Sequence, residues 1–220
     1  MLLCAAAVAV ASAGGCNRGD DDKVQVDLTT PRSAATVFTR ALEAGDVETA
    51  KSAAYAGGVE IEWVEAMAQA MSGMRKLMIA AQARFGAEAQ SLVAGRQTLQ
   101  LSGSLGDAEV QMNGDRATVI PSGGDGTKLP MKRIDGNWKI DVGLLTRGED
   151  ITSIVKQLRV VGMVTPQMSK DVEAGKFQSI IDVRRAITKS VVESFYDPAA
   201  ATRPTTNQAP SAPLQEPLSL

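Results

Sequence analysis

The sequence predicts an α+β fold, in which N-terminal helices pack on a curved antiparallel β-meander and further helices follow. Two changes of hydrophobic period indicate this order. From residue 30 to residue 85, apolar residues recur at helical spacing. From residue 97 to residue 142 they alternate with polar residues, as in half-buried strands, and the helical period returns after Gly148. Because a sheet with one apolar face needs cover, the preceding helices are expected to supply it.

Capping residues delimit the first two predicted helices. Thr30 and Pro31 suit the N-cap and the first position of a helix, and Gly45 suits its C-terminal end. Asp46 then caps a second helix, which is expected to cover about residues 47–54.

The longest predicted helix covers Glu60–Phe85, and its apolar stripe is so broad that other elements must cover it. Gly73 marks either a weak point in this helix or a close approach by another element. Spacings of four and three residues place four thioethers on one face: Met67, Met71, Met74 and Met78. Thioethers can bind Cu(I). Since no histidine or cysteine supports this row, core packing or the wall of an apolar pocket is the favoured interpretation.

Two dipeptides typical of tight hairpins separate the predicted strands, Asn113-Gly114 and Asp135-Gly136. Trp138 follows the second hairpin and is interpreted as a core aromatic that could also form the floor of the apolar pocket. The alternation predicts an apolar inner face of the sheet made by Leu99, Leu101, Val110, Met112, Val119, Met131, Trp138 and Ile140.

Three more helical segments are expected after the sheet. The first stops at Gly162, the second restarts at Thr165-Pro166 and ends at Gly175, and the third follows it. One interpretation makes this region an arm for oligomerisation or partner docking. In that case four apolar side chains would be exposed: Phe177, Ile180, Ile187 and Val191.

The first sixteen residues resemble a bacterial lipoprotein signal. Leu2–Ala13 is apolar, uncharged and too short to span a bilayer as a helix, and two glycines separate it from Cys16. The resemblance implies that Cys16 is lipidated, becomes the mature N-terminus and attaches the protein to the membrane. The protein would then be an envelope lipoprotein facing the periplasm or the exterior. An ordinary cleaved signal and a buried apolar strand are the alternatives.

Two further segments together resemble the nuclear transport factor 2-like fold. Pro31–Ala54 contains Phe38 and the run Ala41-Leu-Glu-Ala-Gly-Asp46, as in the opening helices of that fold. Met131–Asp141 turns at Asp-Gly and returns through a tryptophan, like the closing hairpin in small bacterial lipoproteins. The resemblance implies a cone-shaped cavity, which serves enzymes such as steroid isomerases and polyketide cyclases, or non-catalytic binding modules.

These observations divide the chain into five predicted parts. They are a signal peptide (1–15), the lipidated cysteine with a flexible tether (16–29), the nuclear transport factor 2-like domain (30–145), a C-terminal helical extension (146–197) and a tail rich in Pro, Ala and Thr (198–220).

Composition excludes several kinds of site. The chain has no histidine, so His-dependent catalytic triads and His-ligated zinc sites are excluded. Its two cysteines are Cys4, inside the signal, and Cys16, so the mature domain would contain no disulfide and no free thiol. A net charge of −2 gives no broad reason to bind nucleic acid. No catalytic residue, metal site or cofactor is therefore assigned, and the oligomeric state stays open.

The favoured functional prediction is a non-enzymatic binding or assembly module for an envelope protein or a small apolar ligand. The alternative is a small isomerase, cyclase or hydrolase that uses a carboxylate in the cone cavity. Its candidate carboxylates are Glu60, Glu62, Glu65 and Asp141.

Overall fold

The computed structural model describes residues 25–92, 104–123 and 127–196. The helices in these ranges are α1 (Pro31–Ala44), α2 (Val47–Ser52), α3 (Val59–Phe85), α4 (Val142–Leu145), α5 (Ile151–Glu173) and α6 (Ile180–Tyr196), with a 3₁₀ helix at Gly86–Leu92. The strands are β1 (Ala54–Tyr55), β2 (Ser104–Asn113), β3 (Arg116–Ser122), β4 (Leu129–Ile134) and β5 (Asn137–Asp141). The predicted α+β class and the antiparallel meander are confirmed.

The sheet has the order β1-β5-β4-β3-β2, in which β2 to β5 are antiparallel and β1 runs parallel to β5. The predicted end of α2 near Ala54 is wrong. The helix ends at Ser52, and Ala54 belongs to strand β1. Beside it, the Ile140 amide donates to the Ala53 carbonyl at 2.9 Å. A strand of two residues is too short to produce a periodic signal in the sequence.

Both predicted hairpins form. The turn between β2 and β3 lies one residue later than the predicted dipeptide Asn113-Gly114. Asp135 and Gly136 occupy the β4–β5 turn with φ angles of 49° and 82°, which suits a type I′ hairpin. In the β2–β3 hairpin, Asn113 pairs with Arg116, so the turn residues are Gly114 and Asp115. Gly114 has a φ of 59° at the first turn position, where a type II′ turn requires glycine.

The predicted caps of α1 and α2 are confirmed. Thr30 Oγ1 accepts a hydrogen bond from the Ser33 amide at 3.1 Å, and Gly45 follows α1 in the left-handed region with a φ of 76°. Asp46 accepts from the Thr49 amide at 3.0 Å and thereby caps α2.

Replacing Asp46 tests this cap. Its hydrogen bonds with Thr49 lower the pKa of the carboxyl below its ordinary value, so the ionised form stabilises the folded state. This contribution is complete above pH 3.8 and is lost as the pH falls through the lower folded pKa. We expect Asp46→Ala to lower the free energy of unfolding by about 1 kcal/mol at pH 7. Asp46→Asn, which keeps an acceptor, should cost less and reduce the acid sensitivity. Urea unfolding at pH 7 and pH 3 measures both effects, and equal losses in the two variants would contradict the cap.

The helix α3 runs through two hydrophobic cores. Its first half packs with α1 against the inner face of the sheet, and its second half packs with α5, α6 and the 3₁₀ helix. Buried residues of the first core include Phe38, Leu42, Trp63, Val64, Met131, Trp138 and Ile140. Those of the second include Leu77, Ala81, Val160, Val172, Val183 and Ile187. Contact with two separate layers explains why the apolar stripe of α3 is so broad.

The helix α5 is continuous through Gly162 and Pro166, so the predicted break between two helices is wrong. Thr165 Oγ1 donates to the Val161 carbonyl at 2.8 Å within this continuous helix. A side chain at Gly73 would clash with Thr165 Oγ1, so the close-approach interpretation of Gly73 is confirmed. Packing against α3 therefore outweighs the backbone hydrogen bond that a proline removes inside a helix.

The inner face of the sheet largely follows the predicted alternation. Val119, Met131, Trp138 and Ile140 are buried, and Val110 is half-buried. Met112 pairs with Ala117 and so lies on the same face, but it is 58% exposed. The predicted inward direction of Met112 thus agrees with the register, although its side chain on edge strand β2 is open to solvent. Leu99 and Leu101 lie outside the described residues.

The C-terminal helices are not an arm that exposes its apolar residues. Ile180 and Ile187 are buried in the second core, and Phe177 and Val191 pack against it while partly buried. The interpretation that these four side chains are exposed is therefore wrong, because they join the second core, where α6 packs against α5 and the 3₁₀ helix.

Candidate functional site

The candidate apolar pocket is divided between the two cores. Met67 and Trp138 are buried in the first core, and Met71 packs against it. Met74 and Met78 pack against the second core. The helix α3 passes through both cores, so its methionine row contributes side chains to each of them. The five candidate residues therefore do not line one common pocket.

Two buried polar atoms lie among the apolar side chains of α1 and α3. Trp63 is 1% exposed, and neither its Nε1 nor the Oγ1 of buried Thr39 has a hydrogen-bond partner among residues 25–92, 104–123 and 127–196. An unsatisfied buried polar group costs about 1–3 kcal/mol, so an acceptor supplied by a bound molecule would stabilise the Trp63 indole. Nothing in the sequence pattern identifies this unpaired N–H, because a tryptophan on the apolar face of a helix is typical of a core.

Two of the four candidate carboxylates serve as local acceptors. Glu60 Oε2 accepts from the Gly57 amide at 3.0 Å, before the start of α3. Asp141 Oδ1 accepts from the Leu144 amide at 3.1 Å and caps α4. Both side chains are half-buried, and each satisfies a backbone donor at a helix N-terminus.

The other two carboxylates form ion pairs at the surface. Glu62 contacts Arg159 Nη2 at 2.9 Å, and Glu65 contacts Lys51 Nζ at 3.0 Å. The hydrogen bond to Glu65 raises the pKa of Lys51 above its ordinary value, because the carboxylate favours the charged ammonium. These partners hold α5 and α2 against α3 and do not place a carboxylate beside a polar donor in the inner layer.

Residues 25–92, 104–123 and 127–196 contain no group of three or more Asp or Glu side chains arranged to hold a metal ion. None of their helices combines the length and the hydrophobicity that crossing a bilayer requires. Cys4 and Cys16 lie outside the described residues.

The outer surface of α6 carries a shallow groove with apolar and basic side chains. Ile181 and Val192 are exposed in it. Its basic residues already have partners: Arg184 donates to the Ser91 carbonyl, Arg185 pairs with Asp182 at 3.5 Å, and Lys189 pairs with Glu193 at 3.8 Å. This groove therefore offers little unpaired charge.

The outer face of the sheet carries a row of three basic residues, which sequence reasoning missed. Arg116 pairs with Lys132 across β3 and β4, and Lys132 pairs with Lys139 across β4 and β5. Directly paired residues point to the same face of a sheet. The Lys132 Nζ also lies 4.2 Å from the centre of the Tyr55 ring. We name Arg116, Lys132 and Lys139 the basic row.

The signal for part of this row was present in the sequence. Lys132 stands three residues before Asp135, and Lys139 stands three residues after Gly136. A two-residue hairpin at Asp135-Gly136 therefore pairs the two lysines directly.

Comparison of the chain with protein-family models, with curated proteins and with solved structures finds no match in any of the three.

Proposed function

We propose that this protein is an exported lipoprotein, attached to the membrane through a lipidated Cys16, and that its folded part is a non-enzymatic binding or assembly module. The observation that carries the proposal is the apolar segment Leu2–Ala13 followed by Gly14-Gly15-Cys16. Such a segment is typical of an export signal, and small residues before a cysteine are typical of lipoprotein processing. The protein would then face the periplasm or the exterior of the cell.

The folded part, over residues 30–145, is proposed to be a nuclear transport factor 2-like cone. In support, α1 and α2 are joined at Gly45-Asp46 and precede a four-stranded meander. The helix α1 contacts β2, β3 and β5, so it covers the inner face of the sheet. The Asp135-Gly136 hairpin then returns through buried Trp138.

A binding role is favoured over catalysis by the chemistry of the inner layer. The described side chains between the sheet and the helices are predominantly apolar, and the four candidate carboxylates have structural partners elsewhere. A general base must lie within hydrogen-bond reach of its substrate. The unpaired Nε1 of Trp63 offers a donor to a small apolar ligand that carries one acceptor.

Lipid attachment is tested by replacing each cysteine in turn. The full chain is expressed in a bacterium supplied with a fatty acid that can be detected on protein. We expect Cys16→Ser to lose the lipid label, whereas Cys4→Ser, the matched control, keeps it because Cys4 lies in the removed segment. Mass spectrometry should find Cys16 as the modified mature N-terminus. Label that persists in Cys16→Ser, or a mature chain that begins at another residue, would contradict the anchor.

The binding role is tested on the same lipidated protein. Native purification followed by mass spectrometry should identify a protein or lipid that stays bound in a fixed ratio. The non-enzymatic part of the proposal is wrong if the protein turns over a substrate and Glu60→Ala or Asp141→Ala abolishes that turnover while the protein stays folded.

A further inference from the structure

The basic row concentrates positive charge in the middle of the outer face of the sheet. Like charges placed directly opposite each other destabilise a pair of strands. Within the described part of the chain, none of the three basic side chains forms an ion pair with a carboxylate. The row therefore carries repulsion that an external anionic surface would relieve.

Neighbouring groups leave this charge accessible. The Tyr55 ring supports the Lys132 ammonium through a cation–π contact, and Tyr55 is itself 44% exposed. Asp141 lies on the outer face two residues after Lys139 on β5, and Glu109 lies on it at edge strand β2. Asp141 caps α4, and Glu109 accepts from Gln111 at 2.9 Å. Neither carboxylate forms an ion pair with the basic row.

The N-terminal segment reaches the sheet beside β5, the strand that carries Lys139. The Trp138 amide donates to the Leu28 carbonyl at 2.8 Å, so the chain reaches the sheet next to Lys139. Cys16 is nine residues before Gln25, where the described part begins. Nine residues span at most about 30 Å, so a lipid on Cys16 would hold this side of the domain close to the bilayer.

We propose that the basic row docks on anionic phospholipid headgroups of the membrane to which Cys16 attaches the chain. This inference rests on the proposed lipid anchor. Three basic residues bind a membrane weakly alone, since each contributes about 1 kcal/mol near an anionic surface. A short tether makes their contact intramolecular and raises the effective concentration of headgroups. The anchor and the basic row together orient the domain with the outer face of its sheet on the bilayer.

Lysine reactivity in lipid nanodiscs tests this orientation. The lipidated protein is placed in discs of phosphatidylcholine alone and in discs that also contain phosphatidylglycerol, and is acetylated with uncharged acetic anhydride. Mass spectrometry then gives the acetylation rate of each lysine. In anionic discs we expect the rates at Lys132 and Lys139 to fall about fivefold or more, which corresponds to about 1 kcal/mol per charge. Lys76 and Lys170, exposed on α3 and α5, should keep their rates. High salt should remove the difference.

A pair of arginine variants separates specific docking from a general charge effect. Arg116→Gln should reduce the protection of Lys132 and Lys139 severalfold, whereas Arg75→Gln, an equal change of net charge on α3, should leave it unchanged. Equal rates in both kinds of disc, or protection of Lys189 on α6 in their place, would overturn the docking proposal. A chain that carries no lipid and does not enter the discs overturns the anchor and this inference together. Lipidated protein with equal rates overturns only the docking.

Discussion

Replacing Leu77 by alanine should lower the free energy of unfolding by about 2–5 kcal/mol, because it leaves a cavity in the second core. Leu77 is fully buried there, among side chains of α3, α5, α6 and the 3₁₀ helix. Leu42 is equally buried in the first core, so Leu42→Ala makes the same chemical change there. We expect Leu42→Ala to cost a similar amount.

The two leucine variants also test whether the predicted boundary near residue 145 separates independent units. Because α3 belongs to both cores, each substitution should shift one common unfolding transition. Calorimetry and urea unfolding monitored by tryptophan fluorescence measure this, since Trp63 and Trp138 both report on the first core. Ile79→Ala is the control: Ile79 is 60% exposed on the same helix, so the change should be within about 0.5 kcal/mol. Two separate transitions, with Leu77→Ala acting on one alone, would show that the cores unfold independently.

A valine at Gly73 should destabilise the protein by about 2–3 kcal/mol, because its Cβ would clash with Thr165 Oγ1 and lie 3.3 Å from Pro166 Cδ. Helix propensity alone predicts the opposite for alanine, which stabilises a helix interior by about 1 kcal/mol relative to glycine. The sign of the effect of Gly73→Ala therefore distinguishes close packing from local helix preference, and we expect destabilisation.

The glycine prediction has a matched control and a partial rescue. Within the described part of the chain, no atom lies within 4 Å of a Cβ built on Gly57, so Gly57→Ala should be nearly neutral. Adding Thr165→Ala to Gly73→Ala should recover part of the loss, because it removes the clashing hydroxyl, and a double-mutant cycle from chemical denaturation gives the coupling. A stabilised Gly73→Ala protein would contradict the close approach of α3 and α5.

Local chemistry made the N-terminal helices and one hairpin predictable. Thr30, Gly45 and Asp46 act within a few residues of themselves, so their capping roles can be deduced from the order of residues. Asp135-Gly136 likewise specifies its own backbone conformation. The turn of the β2–β3 hairpin lies at Gly114-Asp115, one residue after the predicted Asn113-Gly114. Both dipeptides suit a tight turn, and the pairing of the strands selects between them.

Features that depend on distant partners could not be predicted in the same way. The strand β1 forms by pairing with β5. The helix α5 stays continuous through Pro166 because α3 packs along it. The row from Met67 to Met78 has a clear helical spacing, yet only the position of α5 and α6 shows that it is divided between two cores. Whether the predicted pocket residues bind a ligand stays a prediction.

By itself, the sequence determined the α+β class, the caps, the inner alternation of the sheet, the absence of histidine and the lipoprotein-like start. Each of these depends on residue identity or on interactions over a few positions. Only the tertiary structure decided the continuity of α5, the division of the methionines between two cores and the complete basic row of Arg116, Lys132 and Lys139. The physical reason is that packing and strand register join residues far apart in the chain, and their energies outweigh local preferences.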